Sequence, residues 1–174
     1  MCYISVGISG SGKSTYLAKL GCPVVCMDDI RKELTGNVSD QSKNREVFLK
    51  ACIRVRDNAR HSSNFAISAT NLSLKSVRSW IKVLPDDYSG KIILLVFMDS
   101  YNPRLCKARV KYDLSKGVDR SDTVNITRDG KELIDIMADK FKQLIPLLQK
   151  NEIKDKFGRP VEIREIYGSE EIMP

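Results

Sequence analysis

A chain of 174 residues, 42% hydrophobic and 29% charged, has the size and balance of one globular domain, which buries about 70% of the surface its unfolded form exposes. No stretch approaches about 18 continuous apolar residues, and no basic start precedes an apolar core, so export and membrane spanning are not expected and a cytoplasmic setting is. The five cysteines, Cys2, Cys22, Cys26, Cys52 and Cys106, form no C-x-x-C pair and read as reduced thiols, while the lone His61 gathers no zinc ligands. A formal charge of +7 favours polyanionic partners.

The first predicted element is the strand Cys2-Tyr3-Ile4-Ser5-Val6. Directly behind it, Gly7-Ile8-Ser9-Gly10-Ser11-Gly12-Lys13-Ser14 fits the phosphate-loop pattern G-x-x-x-x-G-K-[ST] at every fixed position, and a helix-like run follows from Thr15. The glycines let backbone wrap close to phosphates, so that N–H groups across Ser9, Gly10, Ser11, Gly12, Lys13, Ser14 and Thr15 can point at an anion. Lys13 adds a point charge at the outer phosphates, and Ser14 offers a hydroxyl to Mg²⁺.

Pro23-Val24-Val25-Cys26-Met27 predicts a second strand, ending on Asp28-Asp29 with a helix from Ile30 behind it. From Asp40 to Arg60 the apolar residues recur at spacings of three and four, giving a long amphipathic helix with Lys43, Lys50, Arg54 and His61 on one flank. That flank reads as a solvated face, with a nucleic-acid contact as the alternative. A third strand, Phe65 to Ala69, leads into Thr70-Asn71, then a helix from Leu74 capped by Ser73, in which Trp80 serves as a packing anchor. Asp87-Tyr88-Ser89-Gly90 is an ordinary turn. Lys91 to Met98, the most apolar run, has the signature of a strand buried on both faces.

Asn102-Pro103 signals the start of a basic helix through Tyr112, and Asp113 to Asp122 is expected to be mobile. Lys131 to Gln149 returns to helical periodicity, Val161 to Tyr167 alternates like an edge strand, and Gly168 to Pro174 reads as a loose tail. Alternating strands and helices predict an α/β fold of three layers, a mostly parallel sheet flanked by helices with a basic lid over about 104–122, in a single domain spanning 1–174. Ligands gather at the carboxyl ends of such strands. One crevice should therefore hold the phosphate loop, Asp28-Asp29, Ala69-Thr70-Asn71 and the segment after Met98.

A phosphate loop alone does not choose between GTPase, motor and kinase. The guanine-reading N-K-x-D is missing, and the chain is too compact for a motor. Asp28 is suited to accept a proton from a substrate hydroxyl beside the terminal phosphate, the other reading being a cap for the helix behind it. Arg31, one turn on, either faces the crevice and grips a substrate phosphate or lies exposed.

The phosphate loop, the Asp28-Asp29-Ile30-Arg31 element, Ser68-Ala69-Thr70-Asn71 at a strand end and a basic helix together resemble the phage-type polynucleotide 5′-hydroxyl kinases, P-loop small kinases, over about Met1 to Gln149. The resemblance implies ATP and Mg²⁺ as cofactors and a nucleic-acid 5′-hydroxyl as acceptor. It makes Lys13 and Ser14 the phosphate and metal ligands and Asp28 the general base. Arg31, Thr70 and Asn71 would bind substrate, and a lid arginine, Arg109 or Arg120 with Lys116 behind them, would stabilise the transferring charge. The family has Asp where this chain has Ala69, which keeps open a nucleoside, a nucleotide or a hydroxymethylated base as acceptor. A nucleotide-dependent nucleic-acid-binding module is the alternative of another class. A phosphatase domain is not expected.

Overall fold

Parallel strands cannot be joined by tight hairpins, so a parallel sheet demands a crossover between successive strands. The computed structural model describes residues 1–120, 130–150 and 153–168. Its strands β1 (Cys2–Val6), β2 (Val24–Cys26), β3 (Phe65–Ser68), β4 (Ile92–Phe97) and β5 (Glu162–Ile166) pair in the order β2-β3-β1-β4-β5, every pairing parallel. The crossovers carry α1 (Lys13–Lys19), α2 (Met27–Thr35), α3 (Asn44–His61), α4 (Leu74–Val83), α5 (Pro103–Ser115) and α6 (Leu133–Lys150).

Successive strand residues point to opposite faces, and the sequence uses both. Ile4, Val6, Ile67, Leu94 and Val96 join a core with Ile30, Val47, Val77, Cys106 and Phe141 from α2 to α6. The alternate positions Ala66, Ile93, Leu95 and Phe97 meet Leu17, Tyr16 and Leu20 around α1 in a smaller cluster. The sheet is thus covered on both faces, thickly on one and thinly on the other, which is the expected three-layer fold. All six positions of β4 are buried, and β5 closes one edge with its middle residues wet. Among the described residues no helix is long and apolar enough to cross a membrane.

Helix ends follow local chemistry. Ser73 and Ser76 cap α4 reciprocally, and the Asn102 side chain accepts from the Leu105 N–H ahead of Pro103 at the start of α5. α3 begins at Asn44, later than the periodicity predicts, because the Asp40 carboxylate accepts from the Ser42 N–H and holds a turn there. On that helix Lys50 and Arg54 both reach Glu33 of α2, at 2.8 and 2.7 Å, so this part of the basic flank knits two helices together. The stretch from Asp113, expected to be mobile, continues α5 to Ser115 before Gly117 turns the chain at φ 74°. Residues 121–122 of the expected lid and the tail beyond Gly168 lie outside the described residues.

Behind β3 the chain turns at Asn71, the one described non-glycine residue with positive φ, at 52°. The buried Asn71 amide donates from Nδ2 to the Ser5 carbonyl at 2.8 Å and accepts at Oδ1 from the Trp80 indole N–H at 2.9 Å. Since an indole only donates and a carbonyl only accepts, the orientation of the amide is fixed. It pins the exit of β3 to β1, and Trp80 is the packing anchor the sequence suggests. Replacing Asn71 with Ala should orphan two buried groups and force Ala into the left-handed region, a loss of roughly 3 kcal/mol. Asn71→Gly should recover about 1 kcal/mol of it. Urea unfolding of both variants checks this, and equal stability of Ala, Gly and wild type would refute it.

Candidate active site

Five parallel strands deliver their carboxyl ends to one side of the sheet, and hydrogen bonds tie those ends to the phosphate loop. Gly7 N–H donates to the Thr70 carbonyl at 2.9 Å, and Ile8 N–H donates to the Ser100 hydroxyl at 3.1 Å. Ser5 Oγ bonds both the carbonyl and the N–H of Ala69. Backbone shape explains two of the glycines. Gly12 has φ 89° and faces open space, whereas Gly10 has φ 78° and packs so closely on α5 that a Cβ would lie 2.3 Å from the Cys106 carbonyl oxygen.

Lys13 opens α1, and its ammonium donates to the Ile8 carbonyl at 2.6 Å. The residue is half-buried. Burial pulls its pKa from the usual 10.5 down to about 8, opposed by the negative charge of Asp28 and reinforced by the positive charge of Arg120. Three groups taken from separate parts of the sequence therefore act on one another here. Ser14 and Thr15 are exposed in the first turn of α1, Ser9 and Gly10 are half-buried, and the buried Ser11 Oγ has no partner within the protein. Open space at Gly12, a half-buried cation and an unsatisfied hydroxyl fit the phosphates of a nucleotide, and the exposed Ser14 fits a metal ion that keeps most of its ligands as phosphate and water. Among the described residues no three His, Cys, Asp or Glu side chains converge as a metal site of their own.

β2 is shorter than predicted by one residue at each end, so Met27 is already helical and Asp28 and Asp29 lie in the first turn of α2, where carboxylates suit the helix dipole. Cys26 occupies the cap position, and the exposed Asp28 carboxylate turns instead to Arg31 at 2.6 Å. Arg31 is only 8% exposed and also donates to the Val38 carbonyl, while its Nε has no partner. It supports Asp28 from beneath, which the sequence did not reveal.

Thr70 lends its carbonyl to the loop, and the Asn71 amide is engaged by Ser5 and Trp80, so Asn71 belongs to the support behind the crevice and not to its wall. Arg109 donates to Asp99 at 2.6 Å and to the Gly10 carbonyl at 3.3 Å. Arg120 pairs with Asp113 of its own segment, and neighbouring Asp119 meets Lys32 of α2 at 3.2 Å, which ties the end of this segment to α2. Lys116 lies over the Tyr112 ring at 5.5 Å, away from these pairs. Burial raises the thiols of Cys26 and Cys106, the latter to about 11, so neither is a ready nucleophile. Asp99 and Ser100 were not singled out from the sequence. Their position, directly after its most apolar strand, is the signal that marks them.

A family model described as an AAA domain matches residues 3–122. The chain belongs to that family. Among solved structures, one from the Pnkp1/Rnl/Hen1 RNA repair complex aligns at 20% identity with a TM-score of 0.65, over 82% of this chain and 44% of that one. This AAA domain chain thus spans less than half of that relative's length. A candidate kinase from Chloroflexus aurantiacus aligns at 12% identity with a TM-score of 0.55, over 99% of this chain and 91% of that one. The three-layer α/β fold with its parallel sheet is shared with both of these structures. No curated protein matches the sequence.

The depressed Lys13 pKa has a consequence for binding. Phosphate oxygens stabilise the charged ammonium, so above about pH 8 binding of Mg²⁺-ATP should take up close to one proton, and affinity should fall as pH rises. At about pH 7 the ammonium already carries its proton and uptake should be near zero. Calorimetric titrations in buffers of different ionisation heat read this directly. A proton count that stays the same at both pH values would contradict the assignment.

Proposed function

We propose that this protein is an ATP-dependent kinase that transfers the γ-phosphoryl group to a hydroxyl of nucleic acid, the 5′-hydroxyl end being the acceptor. The observation that carries this reading is the Asp28 carboxylate, held by Arg31 at 2.6 Å and acting electrostatically on Lys13 at the phosphate loop. A carboxylate supported there can orient an attacking hydroxyl and accept its proton. The RNA repair complex of the structural relative and the net charge of +7 support a polyanionic acceptor.

In this reading the loop N–H groups and Lys13 hold the triphosphate, and Ser14 supplies the protein's ligand to the metal. Mg²⁺, when bound, neutralises charge on the phosphate oxygens. Asp28 takes the proton of the acceptor hydroxyl as its oxygen bonds to the γ-phosphorus, and the bond to the β-phosphate oxygen breaks, releasing ADP. Arg120 stabilises charge on the transferring oxygens. Arg31 shares its guanidinium between Asp28 and a phosphate of the acceptor, with Thr70 at the side of the crevice.

A second reading has a specific observation behind it. Ala69, where the resembling family has an acid, offers only backbone groups, both bonded to Ser5. Without that acid to position the acceptor, a nucleoside, a nucleotide or a hydroxymethylated base in DNA becomes a competing substrate.

One panel of 5′-hydroxyl oligonucleotides, nucleosides and nucleotides with labelled ATP separates these readings. An oligonucleotide should be labelled, Lys13→Ala should abolish labelling, and Asp28→Asn should lower kcat about 100- to 10,000-fold. Exclusive labelling of small acceptors would transfer the reading to them. Nucleotide binding with no turnover would leave only a binding module, and full activity of Asp28→Asn would remove the base.

A further inference from the structure

We propose that Asp99 and Arg109 form a strut that positions the phosphate loop, making Arg109 a positioning residue for nucleotide binding and leaving the charge on the transferring group to Arg120. The inference rests on the kinase reading above. Asp99 lies in the short 3₁₀ turn Met98–Tyr101 at the exit of β4, and its two carboxylate oxygens face different partners. Oδ2 accepts from Arg109 Nη1 at 2.6 Å, and Oδ1 accepts from the Gly168 N–H, just past β5, at 3.2 Å. The same Arg109 nitrogen donates to the Gly10 carbonyl at 3.3 Å. One guanidinium thereby joins the loop to a carboxylate that is itself fixed by the end of another strand.

Several features mark this as a support and not a loose surface pair. The side chains are 21% and 15% exposed, so the charges meet away from bulk water, where such a hydrogen-bonded pair is directional. Gly10 stands at positive φ against the backbone of α5, so its carbonyl direction is set by the same helix that carries Arg109. The neighbouring Ser100 hydroxyl receives the Ile8 N–H, so the turn after β4 grips the loop at two points. Both hydrogen bonds leave from Nη1, so the guanidinium is held against the Asp99 carboxylate and the loop carbonyl, the orientation of a support for the loop. Arg120 differs, because its charge is felt at Lys13 and its anchor, Asp113, belongs to its own segment.

Loss of the strut should let the Gly10 carbonyl turn and loosen the ring of N–H donors, which weakens binding of ground and transition states alike. The test measures Mg²⁺-ADP affinity with a fluorescent ADP, together with kcat and KM for ATP, in Arg109→Met, Arg109→Lys and Asp99→Asn. Arg109→Met and Asp99→Asn should each weaken Mg²⁺-ADP about tenfold and raise KM in parallel, with a much smaller change in kcat. Combining them should cost no more than the larger single effect, since both remove one unit. Arg109→Lys, which can still reach Asp99, should recover part of the affinity.

An Arg109→Met protein with unchanged affinity and a kcat about 100-fold lower would make Arg109 the transition-state cation and overturn the proposal. Unchanged affinity and unchanged kcat would overturn it as well. Thermal unfolding without nucleotide identifies any variant that fails to fold, in which case the Arg109→Lys result decides. A wild-type protein that binds Mg²⁺-ADP yet labels no acceptor would defeat the acceptor reading alone, because the strut is read from binding.

Discussion

The half-buried ammonium of Lys13 is the constraint around which the rest is arranged. A half-buried cation is best tolerated where oxygens converge on it, and the chain itself provides one carbonyl in contact and one carboxylate whose charge it feels. The glycine-rich turn brings that carbonyl within 2.6 Å, and the first turn of α2 brings the carboxylate. Neither could be held there without a sheet whose strands all end on the same side. Parallel pairing is therefore a requirement of the site as well as a description of the fold.

Support for the loop comes from several strand exits. Thr70 braces it from β3 and Asn71 ties that exit to β1, while Ser100 and Asp99 brace it from β4, with Gly168 just past β5 steadying Asp99 in turn. The Asn71 amide is engaged at both ends, between Ser5 and Trp80. Polar groups arranged this way define one geometry, because rotating any of them leaves a buried partner unmatched.

What the sequence made legible was local. The phosphate loop, the Ser73 and Asn102 caps and the six buried positions of β4 are written in runs of neighbouring residues, and the structure has them. Contacts between residues 66 and 99 positions apart, Asn71 with Ser5 and Arg109 with Gly10, leave no mark in a local pattern. The role of Arg109 was obscured for that reason, whereas Arg31 pairs with Asp28 only three residues back and went unread because the apolar pattern starts the helix after Asp28. Asp28 does follow β2, but helix α2 starts one turn earlier than its apolar pattern suggests, since a helix's first residues need no hydrophobic stripe.

The ion pair that ties the end of the α5 segment to α2 is a weak one. Lys32 and Asp119 meet with 56% and 43% of their side chains in solvent, and exposed pairs of this kind contribute about 0–1 kcal/mol. A catch of that strength is comparable to thermal energy, so it sets where the segment rests without delaying its departure. Ionic strength will shift that resting position, because nothing shields the two charges from dissolved ions. The placement of this segment beside α2 is thereby left responsive to the salt around the molecule, while the bonds that hold the phosphate loop from the strand exits are not made by exposed charges.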